Sequence, residues 1–293
     1  MKQNTYFIQL GKKNSPCPLD EAISTHLKLS PAQAHSLILN GAVWDWKKKV
    51  RLKDPALLLD TSYLIKIFTT PAAQTLPALK PLEIVYEDEF LLAAYKPQGL
   101  PNQGTTASDQ THLQKAVEIY LKPLSPYHPE VINRLDTPAA GIVLFARSKP
   151  AEKALHELFR LGKIRKYYLA QTALYPEAPD RLSLADTLSV KDKIQEARTR
   201  IIHLQNTPEH SWWLILPQTG RFHQIRRHFQ KYLLPISGDS RYGQNPTREP
   251  LQLYCVGYRF KHPFTQKRCL IHHIPGHLSA IGNLTPGPQH EKK

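Results

Sequence analysis

A segment rich in proline and alanine, PAAQTLPALKP at residues 71–81, separates two parts of the chain that differ in composition. Proline lacks a backbone donor and resists helices and central strands, so such a segment is typical of a connection between domains. We therefore expect a small domain over residues 16–70, a linker at 71–81 and a larger domain over 82–280. The polar residues 281–293 are expected to form a flexible tail.

The part before this segment has the patterns of two short helices. Residues 20–29 have apolar positions at helical spacing, and Ser30 and Pro31 offer an N-cap and a first-turn proline for a helix over 32–39. Residues 1–80 contain 11 basic and 5 acidic side chains, a net charge of +6. A basic cluster and a strand-like run at 63–68 follow the helices, the cluster being Lys47, Lys48, Lys49, Arg51 and Lys53.

The part after the segment is dominated by strand patterns. They lie at 82–86, 90–95, 142–145, 167–173, 196–204, 212–216 and 253–260. Ser148 and Pro150 open a helix that closes at Gly162. Because helices are interspersed irregularly among the strands, the pattern favours an α+β fold with a mixed, largely antiparallel sheet, beside a small α/β N-terminal domain.

The excess of basic residues indicates a negatively charged binding partner. Lysine and arginine total 39 against 24 acidic residues, and the net charge of +15 favours a polyanion such as nucleic acid or an anionic membrane surface. No stretch approaches 18 consecutive apolar residues, and the N-terminal MKQNTYFIQLGKK lacks the apolar block of a secretion signal. These observations favour nucleic acid over a membrane and predict a cytoplasmic protein.

The cysteines and histidines do not indicate a metal centre. The three cysteines, Cys17, Cys255 and Cys269, are far apart and form no CxxC pair. None of the 14 histidines lies in an HExxH or comparable ligand pattern. We therefore expect no metal.

Two segments contain the residues most suited to chemistry. Asp136 follows Arg134 and precedes a Thr-Pro turn and an apolar strand, and taken alone such an aspartate is most simply a turn residue. Farther along, QTGRFHQIR at 218–226 contains a glycine turn followed by a helix, which presents His223 and Arg226 on neighbouring faces. A guanidinium is thus available to pair with the carboxylate.

Six ordered blocks resemble the RluA family of RNA pseudouridine synthases. They are YEDEFLLAAYKPQGL, INRLDTPAAGIVLFARS, KYYLA, QTGRFHQIR, GDSRYG and YRFKHPF, and they span about residues 80 to 280. The resemblance implies isomerisation of uridine to pseudouridine in RNA, a reaction without redox change that requires neither a cofactor nor a metal.

The resemblance also implies roles for individual residues. Asp136 matches the catalytic aspartate, which acts either as a nucleophile or as a base. Arg226 matches the arginine that pairs with it, and Tyr168 the tyrosine that packs against the target base. Arg134 matches the arginine that fills the space left by an extruded nucleotide. Further RNA contacts are expected from Lys166, Arg221 and His223.

The small domain resembles the alpha-L RNA-binding module first described in a small-subunit ribosomal protein. Two short helices, a glycine-bounded turn and a basic hairpin have the expected order, although residues 44–50 depart from the usual hairpin sequence. The resemblance implies RNA contacts by Lys47, Lys48, Lys49 and Arg51. A basic helical hairpin could instead be only a solvated packing unit.

The family blocks are altered at three places. Asn133 replaces the usual histidine, Ala139 and Ala140 replace Thr-Ser, and the run 253–255 (LYC) replaces Leu-His-Ala. None of these changes removes Asp136, Arg226 or Tyr168, so we expect an active, divergent enzyme. Large-subunit ribosomal RNA is the favoured substrate and transfer RNA the second. A non-catalytic RNA-binding or ribosome-assembly protein is the alternative, and a monomer is expected.

Overall fold

The computed structural model describes residues 4–11, 16–69, 81–123, 126–190, 193–243, 249–279 and 281. The chain divides into two compact units, Met1–Leu82 with Gln103–Tyr120 and Glu83–Asn102 with Leu121–Lys293, which we call unit 1 and unit 2. Apart from Pro81 and Ile281, the expected linker and tail lie outside the described residues. Within those residues no helix is long and apolar enough to cross a membrane.

Unit 1 combines short helices with a small antiparallel sheet. Its helices are α1 (Leu19–Leu27), α2 (Pro31–Leu39) and α3 (Leu113–Leu121). Its strands are β1 (Asn4–Ile8), β2 (Cys17–Pro18), β3 (Val43–Asp45), β4 (Val50–Arg51), β5 (Leu58–Leu59) and β6 (Ile65–Thr69). Four of them form a sheet in the order β1-β6-β3-β4, and β2 pairs with β5.

The first two helices form where the sequence indicates. Ser30 caps α2 and shares a capping box with Gln33, while Pro31 occupies the first turn, as predicted. Lys28 adopts a left-handed conformation and ends α1. Ile23 of α1 and Leu37 and Ile38 of α2 are buried in one cluster with Ile65 and Ile67 of β6. Burial of this shared core stabilises helices too short to persist alone.

Unit 1 includes two segments that lie outside the expected limits of 16–70. Strand β1 pairs with β6 over five residues, from Asn4 opposite Thr69 to Ile8 opposite Ile65. Residues 103–120 also belong to this unit. Within it, Asp109 forms an ion pair with Lys53 at 2.6 Å. Both connections join residues far apart in sequence, which a local pattern cannot reveal.

Unit 2 is built on one large sheet. Its strands are β7 (Glu83–Glu87), β8 (Leu91–Lys96), β9 (Glu130–Val131), β10 (Ala140–Ala146), β11 (Arg165–Ala173), β12 (Arg181–Val190), β13 (Lys193–Asn206), β14 (His210–Pro217), β15 (Leu253–Lys261) and β16 (Arg268–His272). Eight follow the order β12-β13-β14-β11-β15-β10-β8-β7, with β16 on β15 and β9 on β10. Helices α4 (Lys149–Arg160) and α5 (Gln224–Tyr232) complete the unit, with a short 3₁₀ turn at Gly276–Leu278.

One parallel contact lies at the centre of this sheet. Strands β10 and β15 run parallel, with Gly141 opposite Cys255, whereas the other described strand pairs of the sheet are antiparallel. Gly141 has φ of +123°, and a Cβ there would lie 2.2 Å from the Cys255 carbonyl oxygen. Only glycine permits this approach. The expected α+β fold with a mixed, largely antiparallel sheet is confirmed.

The two faces of this sheet bury separate clusters. Tyr167 and Leu169 of β11 belong to one cluster, and Ala170, with Tyr168 packed beside it, to the other. Tyr167 and Tyr168 therefore point to opposite faces, as predicted from strand geometry. Ile225 and Phe229 of α5 pack into the cluster that includes Tyr168. This packing places the QTGRFHQIR helix on the same face as Tyr168.

Candidate active site

Asp136 lies in the loop that leads into β10. The Asn102 side chain holds this loop by two hydrogen bonds. Its Nδ2 donates to the Leu135 carbonyl at 2.6 Å, and its Oδ1 accepts from the Leu135 backbone amide at 3.0 Å. The Lys96 ammonium donates to the Thr137 carbonyl at 3.0 Å. Burial lowers the pKa of Lys96 to about 7, although the Asp136 charge opposes the shift. These contacts fix the backbone on both sides of the carboxylate.

The carboxylate of Asp136 meets the guanidinium of Arg226. Arg226 Nη1 donates to Asp136 Oδ2 at 3.0 Å across a separation of 90 residues. The Arg226 side chain is 4% exposed, and that of Asp136 is 24% exposed. Asp136 thus has an arginine partner on the buried side and an open side toward solvent, which a turn residue does not require.

A second carboxylate holds the same arginine. Asp239 accepts from Arg226 Nε at 2.8 Å and from Nη2 at 2.7 Å, the paired geometry for which a guanidinium is suited. Burial alone would lower the pKa of Arg226, but its bonds to Asp239 and Asp136 outweigh burial and raise it. The arginine is therefore charged, and its Nη1 is left to bind Asp136.

Asp239 is held by backbone as well. The amides of Arg241 and Tyr242 both donate to its Oδ1 at 3.0 Å. Burial would raise the pKa of Asp239, but the bonds from Arg226 and from these amides lower it. The preceding Gly238 has φ of +75°, and a Cβ there would lie 2.0 Å from the Pro250 carbonyl oxygen. Sequence reasoning missed Asp239, although the GDSRYG block in which it lies was a signal.

His223 lies beside Asp136 in an uncommon backbone conformation. It precedes α5 with φ of +54°, a conformation that costs a non-glycine residue about 1 kcal/mol or more. Its Nδ1 lies 3.0 Å from the Tyr242 hydroxyl, and its Nε2 lies 3.6 Å from Asp136 Oδ1. Burial lowers the pKa of His223, although the Asp136 charge opposes the shift. A neutral imidazole therefore borders the carboxylate at neutral pH.

Two side chains of β11 line the same pocket. Tyr168 is half-buried, and burial, followed by the influence of Cys255, raises its pKa well above the usual value. Its hydroxyl is therefore protonated at neutral pH. The Lys166 ammonium donates to the Thr219 carbonyl at 2.8 Å, and burial lowers its pKa to about 8. Because they are two residues apart in a strand, Lys166 and Tyr168 share a face.

The pocket itself is a cavity of about 120 Å³. It brings together seven residues that sequence analysis singled out, namely Arg134, Asp136, Lys166, Tyr168, Arg221, His223 and Arg226. Arg134 is exposed, and within the described residues its guanidinium makes no hydrogen bond or ion pair. Arg221 is partly engaged, since its Nε donates to the Glu196 carbonyl at 2.9 Å. The pocket thus combines a polar interior with cations, one of them free to contact a ligand.

An exposed aromatic ring lies next to this pocket in sequence. Phe222 is 52% exposed and stacks on His223 with ring centroids 3.7 Å apart. The Arg241 guanidinium lies 5.7 Å from the same ring. Sequence analysis did not assign Phe222 a role.

Asn133, which replaces a histidine of the family pattern, joins a buried hydrogen-bond network. Its Nδ2 donates to the Tyr258 hydroxyl at 2.7 Å, and its Oδ1 accepts from the Leu144 amide at 2.8 Å. The Tyr258 hydroxyl also accepts from the Cys255 thiol at 3.0 Å and donates to the Ile142 carbonyl at 3.1 Å. The asparagine thus forms hydrogen bonds with both of these neighbours. Ala139 and Ala140 are buried apolar groups.

The predicted basic residues of unit 1 are held in different ways. Arg51 donates to the carbonyls of Gly41 and of Thr105, the latter at 2.7 Å, and lies 3.7 Å from Asp109. Lys47 donates to a backbone carbonyl, and Lys48 lies 3.8 Å from Asp45. The Lys49 ammonium lies 3.2 Å from the centroid of the Trp46 ring. Arg51 is therefore committed to internal partners, whereas Lys49 remains at the surface.

Known proteins similar to this chain were found at the level of family, sequence and fold. Residues 91–231 match the family model described as RNA pseudouridylate synthase. A tRNA pseudouridine synthase C of Pasteurella multocida is 31% identical over 220 residues, covering 65% of this chain and 90% of that protein. A ribosomal large subunit pseudouridine synthase C of Vibrio cholerae is 31% identical over 303 residues, covering 93% of this chain and 94% of the relative.

Solved structures agree on the fold. Human RNA Pseudouridylate Synthase Domain Containing 1 superposes with a TM-score of 0.57 at 19% identity, covering 71% of this chain and 89% of that structure. Human RNA Pseudouridylate Synthase Domain Containing 4 gives a TM-score of 0.54 at 22% identity, with 66% and 88% coverage. With the sequence relatives, these findings place the chain in the RluA family of RNA pseudouridine synthases, enzymes that isomerise uridine in RNA.

Proposed function

We propose that Asp136 is the reactive carboxylate of this enzyme and that its substrate is large-subunit ribosomal RNA. The contact of Asp136 with Arg226 in the pocket carries the first part of the proposal. An aspartate bound on one side by a buried arginine and open on the other is fixed in direction and accessible. These properties suit a nucleophile or a base.

The reaction sets requirements that these residues meet. Isomerisation breaks the bond between N1 of uracil and C1′ of ribose, turns the base and joins C5 to C1′. A proton leaves C5 and N1 gains one. Asp136 either attacks C1′ and forms a covalent intermediate, or removes a proton from ribose C2′. Deuterium at C2′ distinguishes the two, because only proton removal predicts a primary isotope effect on single-turnover isomerisation.

Arg226 orients Asp136, while Asp239 keeps Arg226 in place. Tyr168 offers a ring to the target base and a protonated hydroxyl for proton transfer. Such a site acts through preorganised charges, which need little rearrangement as the reaction proceeds.

The pocket accepts a uridine only after it has left its stack. Extrusion costs a few kcal/mol, which RNA contacts must offset. Arg134 is exposed beside the pocket, and its planar guanidinium can stack on bases and bond to phosphate. Lys166, Arg221 and His223 line the same cavity and are assigned to the RNA backbone near the target nucleotide.

Ribosomal RNA is favoured by the extent of the sequence match. The large-subunit relative from Vibrio cholerae aligns with 93% of this chain, so the match includes most of unit 1. The transfer RNA relative from Pasteurella multocida aligns with only 65%. We assign unit 1 to RNA binding of the alpha-L type, through α1, α2 and the turn after β3 that contains Lys47, Lys48 and Lys49.

Pseudouridine mapping in strains with and without the gene tests the substrate. Loss of one or a few sites in large-subunit ribosomal RNA is expected. Loss confined to transfer RNA would select the second candidate, which the transfer RNA relatives favour. If no uridine in total RNA changes and the purified protein is also inert on that RNA, the proposal is wrong.

Asp136→Asn tests the catalytic assignment. We expect single-turnover isomerisation to fall by at least about 10³-fold, because the amide is neither a nucleophile nor a base, while RNA affinity changes little. Glu157→Gln is the matched control, since it removes an exposed carboxylate paired with Arg160 on α4. Activity of Asp136→Asn near that of the control would remove Asp136 from the mechanism.

A monomeric state and a cytoplasmic location remain predictions. Light scattering of the purified protein and fractionation of cells would test them.

A further inference from the structure

The sheet of unit 1 has one face that does not belong to its core. Strand pairing places Phe7 opposite Lys66, Lys66 opposite Trp44, and Trp44 opposite Arg51. A single row across β1, β6, β3 and β4 therefore alternates aromatic and cationic side chains. Ile65 and Ile67, which flank Lys66, point to the other face and are buried.

The rings on this face contact one another edge to face. Trp46 lies 6.5 Å from Phe7 and 6.2 Å from Phe68 between ring centroids, with interplanar angles of 80° and 64°. Two ammonium groups lie over the Trp46 ring, that of Lys49 at 3.2 Å and that of Lys66 at 3.6 Å from its centroid. We call these four residues, Phe7, Trp46, Lys49 and Lys66, the aromatic face.

The two ends of the row differ in accessibility. At one end, the Trp44 indole donates to the Thr106 carbonyl at 3.0 Å and Arg51 donates to the Thr105 carbonyl, so both are occupied within unit 1. At the other end, Phe7 is 48% exposed. Mutual packing of the rings stabilises the sheet, but it leaves an aromatic ring half in water beside two cations.

We propose that the aromatic face binds unpaired nucleotides of the RNA substrate, with bases stacked on Phe7 and Trp46 and phosphates paired with Lys49 and Lys66. The inference rests on the proposed role of unit 1 in RNA binding and gives that unit a second surface, apart from its helices. Stacking on an aromatic ring requires an open base face, which single strands and loops offer and the interior of a duplex does not.

Binding replaces contacts that are weak in the free protein. Lys49 is exposed and Lys66 is half-buried. Near solvent, an ammonium group over an aromatic ring contributes less than a base stacked on such a ring. Lysine side chains are flexible, so the ammonium groups can turn from the indole to phosphate while a base takes their place. The rings and the cations also match the two parts of RNA, since bases offer apolar faces for stacking and phosphates offer negative charge.

Binding by the full-length protein tests this inference, with single-stranded oligoadenylate as the probe and an abasic strand of equal length and an RNA duplex as comparisons. Trp46→Leu and Phe7→Ala should each weaken oligoadenylate binding by about tenfold, and affect the abasic strand far less. Neither should change the salt dependence, since no charge is removed. Lys49→Ala should reduce the salt slope by roughly one phosphate contact.

Tyr6→Ala is the matched control for Phe7→Ala. Both residues are exposed aromatics of β1, but Tyr6 lies opposite Ile67 and so on the other face. We expect no change in oligoadenylate binding for Tyr6→Ala. Thermal unfolding of each variant separates lost contacts from lost folding, and Phe7→Ala keeps the test valid if Trp46→Leu is unstable.

Two outcomes would overturn the inference: unchanged oligoadenylate affinity in both folded variants, or losses on the abasic strand or on the RNA duplex that equal those on oligoadenylate. Wild-type isomerisation of total RNA is measured in parallel. If the wild type isomerises uridine but the aromatic variants bind oligoadenylate normally, only the aromatic face is rejected. If the wild type modifies no RNA, the proposed function fails instead.

Discussion

Arg226 in unit 2 and Lys49 in unit 1 are both cations of an RNA-modifying enzyme, yet the fold treats them in opposite ways. Arg226 is buried and fixed by two carboxylates, whereas Lys49 is exposed and its ammonium lies over the indole ring of Trp46. A guanidinium held by several bonds cannot leave its place, so it suits the orientation of a reacting group. An ammonium held only by a ring can turn toward phosphate, so it suits a surface that adapts to RNA.

The largest expected effect concerns Arg226, the cation that is held in place by two carboxylates. Asp239→Asn removes one charge from a buried pair and leaves the Arg226 guanidinium undercompensated, so we expect unfolding free energy to fall by about 3 to 5 kcal/mol. Asp136 would also lose its fixed partner, and kcat should fall more than KM changes. Chemical denaturation measures the first effect, and steady-state kinetics measure the second.

Asp186→Asn provides the control for that substitution. Asp186 pairs with Lys231 of the same helix α5, but the lysine side chain is exposed, so solvent screens the pair and its loss should change stability far less. If Asp239→Asn costs no more stability than Asp186→Asn, the carboxylate does not hold Arg226 as described.

The next effect separates two neighbouring cations, Arg51 of β4 and Lys49 of the preceding turn. Arg51→Ala removes donors to two carbonyls and the neighbour of Asp109, and is expected to destabilise the protein by about 1 to 3 kcal/mol with little change in salt dependence of RNA binding. Lys49→Ala should alter stability by about 0.5 kcal/mol or less and reduce the salt slope. The reverse pattern would show that Arg51 and not Lys49 contacts phosphate.

A smaller effect concerns Lys166, which is partly buried and is also assigned to contact RNA. Lys166 lines the pocket but is partly buried, and its pKa of about 8 lies below the usual lysine value. As pH rises through about 8, the ammonium loses its charge, so RNA affinity should weaken by a few fold and the salt slope should decrease. Lys166→Arg should remove this pH dependence, since a guanidinium stays charged. A wild-type affinity that is flat between pH 7 and pH 9 would contradict a phosphate contact by Lys166.

The smallest effect on activity is expected in the buried network that includes Asn133. Cys255→Ala removes one weak donor to the Tyr258 hydroxyl, which keeps its bonds to Asn133 and to the Ile142 carbonyl. We expect a loss of about 1 kcal/mol in stability and nearly unchanged isomerisation. A large loss of activity in a folded Cys255→Ala variant would instead link the thiol to the position of Tyr168.

Local structure was predictable wherever the signal itself was local. The Ser30-Pro31 start of α2 and the Ser148 cap of α4 follow from hydrogen bonds within one turn, and the opposite orientations of Tyr167 and Tyr168 follow from strand geometry. Strands β1, β12 and β16 and helix α3 were not predicted. Strand β1, for example, depends on pairing with β6 about 60 residues away, which no neighbouring residue encodes.

By itself, the sequence determined the chemical groups and the segments that present them: a carboxylate before β10, a guanidinium on α5, a tyrosine on β11 and a basic N-terminal part. Only the tertiary structure decided which groups meet. It brought Arg226 to Asp136 across 90 residues, added Asp239 as a second partner and committed Arg51 to carbonyls of its own unit. The reason is physical: a side-chain bond between separate elements requires a particular strand register and approach, such as that which Gly141 permits beside Cys255.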